Sequence, residues 1–305
     1  MEIGLVQAFD GTPRRGAAYI ADLAPAVEAA GFHSLWLPEH VVFFERFESV
    51  YPYPPTPGSP DRPKLPVGKG AGLFDPLLGC LAVAMHTTTL RVGTAVSLLP
   101  LRHPLVWARE VVTLDHLSGG RFDFGVGVGW LKEEFEAVNV DFTSRGRLTD
   151  EYLGALHAAW SQEESTFHGE FVNFTDALSN PKPIQSPRPP VLIGGESDAA
   201  LRRVARYGDG WYGWNMTPEQ FEEGLARLDR QLAQHPFLDG RTRTRRDVFL
   251  QVGFRHKGTL GELAALTDKF GALGAQRIAV SIDIRTSEYE SRLREIADAL
   301  GIAPL

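Results

Sequence analysis

Ser118-Gly-Gly-Arg-Phe-Asp-Phe-Gly-Val-Gly-Val-Gly-Trp-Leu-Lys-Glu-Glu-Phe135 is the stretch whose reading decides the fold. It opens on a Gly119-Gly120 turn and runs apolar from Phe122 to Val128, the pattern of a strand buried on both faces. Gly125, Gly127 and Gly129 bare one edge where that strand ends, and a side-chain-free edge admits a ligand or another backbone closely. A helix then starts with Leu131, Glu133 and Glu134, carboxylates placed where a helix N-terminus favours negative charge. Strand, bare corner and helix form a platform for a flat ligand. The same glycines serve equally well if they only let helix and strand pack. A dinucleotide fingerprint is excluded, because its third glycine would fall on Trp130 or Lys132.

Outward from this unit the same alternation repeats. Strand-like runs occur at Ile3–Gln7, Ser34–Leu37, Arg91–Ser97, Phe122–Val128, Val191–Ile193, Trp211–Trp214, Phe249–Phe254 and Ile278–Ile282. Amphipathic helical patterns lie between them at Gly16–Ala30, Asp75–His86, Pro104–His116, Arg145–Trp160, Asp198–Arg206, Pro218–Gln234, Leu260–Leu273 and Glu288–Leu300. This order predicts an α/β protein, a single (β/α)8 TIM barrel spanning 1–305, which suits a chain of 305 residues. Glycines close several helices (Gly31, Gly208, Gly274), while Thr217-Pro218 and Thr259–Glu262 open others, the second close to a capping box. The proline- and glycine-rich segment 41–73 is an insertion leaving the C-terminal end of strand 2, the face where barrel active sites lie. A loop of that length reads as a lid or pocket wall. Phe167–Phe174 reads as a hairpin.

The net charge of −7 and a pI of about 5.7 exclude a nucleic-acid or anionic-membrane surface. The arginines at 241, 243, 245 and 246 read as a solvated loop. The lone cysteine, Cys80, fits a reducing compartment, and no apolar run is long enough to span a membrane. A soluble, cytoplasmic protein is expected.

The strand ends narrow the chemistry. No His-x-His follows the first strand, no lysine sits inside a strand, and no Gly-x-Ser-x-Gly elbow occurs. Glu39 has no obvious opposing carboxylate for glycoside hydrolysis, and no metal site is expected. Pro38-Glu39-His40, Ala95-Val96-Ser97, Gly127–Trp130, Gly194–Ser197 and Trp211–Trp214 supply bare backbone, aromatics and few polar groups. That set suits a flat heterocycle which carries its own chemistry.

Leu37-Pro-Glu-His40, Asp75-Pro76, Arg91–Val96, Arg102-His-Pro104, Leu117–Arg121, Gly125–Glu134, Pro181-Lys-Pro183 and Pro190–Gly195 together resemble the bacterial luciferase-like superfamily, most closely its coenzyme F420-dependent oxidoreductases. The likeness covers nearly the whole chain apart from 41–73. It implies hydride transfer between the deazaflavin F420 and a small organic substrate. The alternative is an FMN-dependent monooxygenase fed by a separate reductase, and either is implied to be a homodimer. Carried over, the resemblance puts Glu39 and His40 beside the cofactor ring, with His40 as the catalytic proton donor or acceptor. Ala95-Val96 match a bulge with a non-proline cis peptide behind the ring. Gly127 and Gly129 match the corner contacting the cofactor's polar side, and Gly194-Gly195 a loop near its tail. Trp130 stands where some relatives carry a proton-donating glutamate, which puts a sugar-phosphate substrate in doubt.

Phe43, Phe44, Tyr51, Tyr53 and Trp130 are candidate liners of a substrate wall. Each assignment has a plainer counterpart. His40 would only hydrogen-bond Glu39 or backbone and hold the insertion, Glu39 would pair with an arginine such as Arg102, and the tryptophans would only pack. Arg255 and His256, leaving the seventh strand, would meet an anionic tail or, as the preferred reading, be solvated; His103 reads as an end-of-strand turn, and Asp283 with Arg285 as a pair.

Overall fold

The computed structural model describes residues 1–10, 12, 15–60, 72–284 and 288–305. In chain order the elements are β1 (Glu2–Val6), α1 (Ala17–Ala29), β2 (Ser34–Leu37), α2 (Pro76–Met85), β3 (Arg91–Thr94), β4 (Ser97–Leu98), α3 (Pro104–Leu117), β5 (Phe122–Gly127), α4 (Lys132–Ala137) and α5 (Arg145–Ser161). They continue with β6 (Ser165–His168), β7 (Asn173–Ala177), β8 (Val191–Gly194), α6 (Asp198–Arg206), β9 (Gly210–Trp214), α7 (Pro218–Gln234), β10 (Phe249–Arg255), α8 (Leu260–Ala272), β11 (Arg277–Ser281) and α9 (Tyr289–Ala299).

Parallel pairing runs β3-β2-β1-β11-β10-β9-β8-β5, and β3 meets β5 through Val92–Phe122 to close the sheet into the expected barrel. The expected third strand, Arg91–Ser97, is interrupted at Ala95-Val96, where the peptide is cis, and resumes as the short β4 against Val126 and Gly127. The expected hairpin forms as β6 and β7. Thr217 and Thr259 both make full capping boxes, with Gln220 and Glu262. Gly31 and Gly274 take left-handed φ of 84° and 97°. Gly208 does not; its missing side chain leaves room for Ile193.

Strand periodicity sorts the core. Phe122, Phe124 and Val126 of β5 point outward into the large apolar layer under the helices, so Asp123, Gly125 and Gly127 form the inward face. The expected doubly apolar strand is therefore apolar on its outer face only. Inside the barrel, Trp36 and Tyr212 meet edge-to-face at 5.6 Å among Val6, Leu192 and Ala279. Gly93 stands against Trp36, where a Cβ would collide with the indole, and Gly4 against Ser34, whose hydroxyl accepts from the indole N–H. Towards the N-terminal floor, Arg277 donates to Asp123 at 2.7 Å and to Gln251 at 3.3 Å, and Arg91 also pairs with Asp123. Bulky rings against glycines, above a satisfied ionic floor, fill the barrel to the level where the site begins.

The arginine run is not a solvated loop throughout. Arg243 is buried, and its guanidinium donates to the carbonyls of Val204, Ala205 and Gly208 at the end of α6. His103 is the N-cap of α3, its Nδ1 accepting from the Leu105 N–H at 3.3 Å.

Candidate active site

A cavity of about 510 Å³ opens at the C-terminal ends of the barrel strands, within the usual range for small-molecule sites. Its floor and sides include Val6, Glu39, His40, Ala95, Val96, Gly194, Gly195 and Tyr212. Over it lies the described part of the insertion, 41–60 and 72–73, which forms no helix or strand. Phe43, Tyr51 and Tyr53 of that segment line the cavity together with Trp130. Phe44 does not line it and lies half-buried outside the wall. The prolines and glycines of the insertion between 61 and 71 lie outside the described residues, as does Arg285.

The insertion is held by α4. Glu134, fully buried, accepts from the backbone N–H groups of Val41 and Val42 and meets His40 Nδ1 at 3.2 Å. Glu133 accepts from the N–H groups of Glu48 and Ser49 and from the Ser49 hydroxyl at 2.7 Å. Burial works against that charge, but these donors hold the Glu133 carboxyl down at about 2. α4 has no side-chain N-cap and only six residues. The two carboxylates stand in the first turn of α4, as expected, and also clasp the lid.

His40 is thereby fixed. Its ring sits 4.6 Å from Phe43 and edge-on to Trp130 at 5.7 Å, with its side chain 12% exposed. Trp130 also meets Tyr51 at 5.2 Å, and Tyr51 meets Tyr53 at 5.7 Å. Since a carboxylate accepts, Nδ1 carries the proton towards Glu134, and Nε2 is the nitrogen left for the cavity.

Glu39 is not the histidine's partner. It accepts from Arg102 at 2.6 Å and from the Leu98 N–H at 2.6 Å, so it ties the end of β2 to the strand after the bulge. Burial pushes its carboxyl up to about 7, against the pull of Arg102 and the Leu98 N–H. Arg102 also binds Asp75 at 2.6 Å, the N-cap of α2.

Gly127 and Gly129 do not line the cavity. A Cβ at Gly127 would stand 2.5 Å from Val96 Cγ2, and one at Gly129 would strike the Phe135 ring. The glycine corner seats the Ala95-Val96 bulge from behind, and the bulge itself faces the cavity. Gly194, where a Cβ would stand 3.0 Å from Val96 Cγ1, and Gly195, with φ of 110°, continue the side-chain-free lining next to the bulge.

Arg255 and His256, read as solvated, line the mouth together with Arg15, Lys257 and Asp283, the last three not singled out for the site by the sequence. Tyr212, buried at the cavity's base, lies beside Gln251 of the neighbouring strand, the residue paired with it. Among the described residues, no three His, Cys, Asp or Glu side chains are grouped to ligate a metal, and no helix is long and apolar enough to cross a membrane.

The family model for luciferase-like monooxygenases matches residues 1–254, and the chain belongs to that family. Its members are oxidoreductases and monooxygenases. An uncharacterized protein of Mycobacterium tuberculosis is 36% identical over 193 residues, a match covering 63% of this chain and 66% of that relative. The FMNH2-dependent dimethylsulfone monooxygenase of Pseudomonas putida is 37% identical over 134 residues, covering 43% of this chain and 36% of that one. Among solved structures, a monooxygenase from Streptomyces bottropensis superposes with a TM-score of 0.76 at 21% identity, over 98% of both chains. An F420-dependent secondary alcohol dehydrogenase, bound to an F420–acetone adduct, superposes with a TM-score of 0.74 at 13% identity, also over 98% of both chains. At those identities the structural matches bear on the fold alone.

Proposed function

We propose that this barrel carries out hydride transfer between the deazaflavin coenzyme F420 and a small organic substrate with an apolar body. The observation that carries the reading is one cavity-facing imidazole, His40, fixed by the fully buried Glu134 beneath an aromatic lid. The residues present fit a tricyclic ring. The cavity volume is adequate, Gly194 and Gly195 leave backbone open to it, and the buried Tyr212 forms part of its base beside Gln251. Ala95 and Val96 would support the ring, and Gly194 and Gly195 would run along its tail. The deazaflavin supplies a two-electron hydride carrier that reacts poorly with oxygen.

The chain's own residues do the rest. Phe43, Tyr51, Tyr53 and Trp130 exclude water and hold the substrate's reacting carbon, an orientation effect worth several kcal/mol. His40 Nε2 gives or takes the proton that accompanies hydride transfer, and Glu134 holds the imidazole in the required tautomer.

The relative named for FMNH2 supports a second reading, an FMN-dependent monooxygenase supplied with reduced flavin by a separate reductase. Titration with F420 and FMN, followed by turnover with and without oxygen, separates the two. Tight F420 binding with oxygen-independent turnover supports hydride transfer. Oxygen consumption dependent on reduced FMN overturns it in favour of the monooxygenase.

A further inference from the structure

The geometry points to Arg255 as the anion seat of the cavity, a guanidinium that binds a carboxylate or phosphate oxygen of whatever enters beneath the lid. Gln251, Gly253 and Arg255 occupy alternate positions of β10, while Val252 and Phe254 between them point into the outer apolar layer. Arg255 is thus the uppermost inward-facing residue of its strand, half-buried in the cavity wall.

Its position is built rather than incidental. Asn215, itself buried, accepts the Arg255 backbone N–H at 2.7 Å through Oδ1 and donates to the Pro54 carbonyl of the lid at 2.7 Å through Nδ2. One side chain therefore fixes the strand end and the lid relative to each other. The inward arginines at the barrel floor are consumed, Arg91 and Arg277 both by Asp123. Arg102 at the rim is consumed by Glu39 and Asp75. Among the described residues the Arg255 guanidinium has neither an ion pair nor a hydrogen bond, although it faces a partly enclosed site.

The surroundings favour an anion. Arg15 and Lys257 share the wall with two carboxylates, Asp283 and the Glu39 already paired with Arg102, in a chain whose net charge is −7. A local cationic field in a cleft of an acidic protein concentrates anions there. A planar guanidinium matches the two oxygens of a carboxylate or phosphate. The oxyanion has two possible bearers, the substrate or the cofactor's tail, and the seat recognises the same chemistry in either. The seat rests on the reading of the cavity as the reacting site, but its test reads binding alone and does not depend on hydride transfer.

The test is calorimetric titration of the full chain, as wild type, Arg255→Met and Arg255→Lys. Benzoate is set against the neutral benzamide. FMN is set against riboflavin, and F420 against the same deazaflavin without its phosphodiester tail. Wild type is expected to favour at least one anionic member over its neutral counterpart by roughly tenfold. Arg255→Met should abolish that preference and Arg255→Lys should restore part of it. Loss confined to benzoate assigns the seat to the substrate, and loss confined to the tailed cofactors assigns it to the cofactor. Preferences that survive in Arg255→Met, or no preference in wild type, overturn the seat while leaving the hydride-transfer reading to its own assay.

Discussion

Glu134→Gln isolates the contact on which the proposed chemistry depends. Glu134 Oε1 accepts from Val41 and Val42, while Oε2 meets His40 Nδ1 at 3.2 Å. Glutamine can keep an oxygen on the two backbone donors but then turns an amide NH2 towards Nδ1. The amide can only donate, so Nδ1 becomes an acceptor and the ring proton moves to Nε2. The imidazole stays in place in the wrong tautomer. Hydrogen bonds to charged groups contribute about 1.5–3 kcal/mol each, so softening them should cost the variant about 1–2 kcal/mol of stability, read by urea denaturation. Turnover should fall much further, by roughly 10²–10⁴, the usual contribution of a positioned acid or base. His40→Ala should lose a similar factor, and the double variant little more than either alone. Glu134→Gln with unaltered kcat and pH–rate profile, in a folded protein, refutes the assignment of His40 as proton carrier.

Other contacts give independent tests. Arg102→Met leaves the buried Glu39 without its counter-charge and should destabilise the fold by about 3–5 kcal/mol; Glu39→Gln in the same chain should recover part of that loss in denaturant titrations. Gly127→Ala would drive a methyl into Val96, costing about 1–3 kcal/mol of stability. Because Val96 must then move towards the cavity, ring binding followed by fluorescence should weaken as well. Burial raises the Glu196 carboxyl to about 7, against the pull of Arg227. The native chain therefore holds that proton to higher pH than the unfolded chain does, and this contribution to stability declines as pH rises from about 5 to 7. Glu196→Gln should accordingly gain in thermal stability relative to wild type across that window; a constant difference would contradict it.

The barrel was legible because each strand and helix carries a local signature, such as Val191–Gly194 and the capping boxes at Thr217 and Thr259. The interruption at Ala95-Val96 was legible only through resemblance, since nothing in those two residue types demands it. Gly125 and Gly127 do face inward, but the sequence does not show that the Ala95-Val96 bulge lies over them: Val96 takes the space beside Gly127, and the Phe135 ring that beside Gly129. The His40–Glu134 contact joins residues 94 positions apart, and Glu134 already had a local explanation at a helix N-terminus. Arg255 was visible but read as solvated: the alternation of Gln251, Gly253 and Arg255 against Val252 and Phe254 marks the side facing the barrel's interior.

The most direct measurement is a crystal structure of the protein with oxidised F420, and separately with FMN. One of the two rings should lie in the mouth cavity with Ala95 and Val96 behind it and His40 and Trp130 in front. A ring bound elsewhere on the barrel, or a cavity that admits neither ring because Trp130 or Glu39 occupies the seat, would contradict the assignment of this chamber as the redox site.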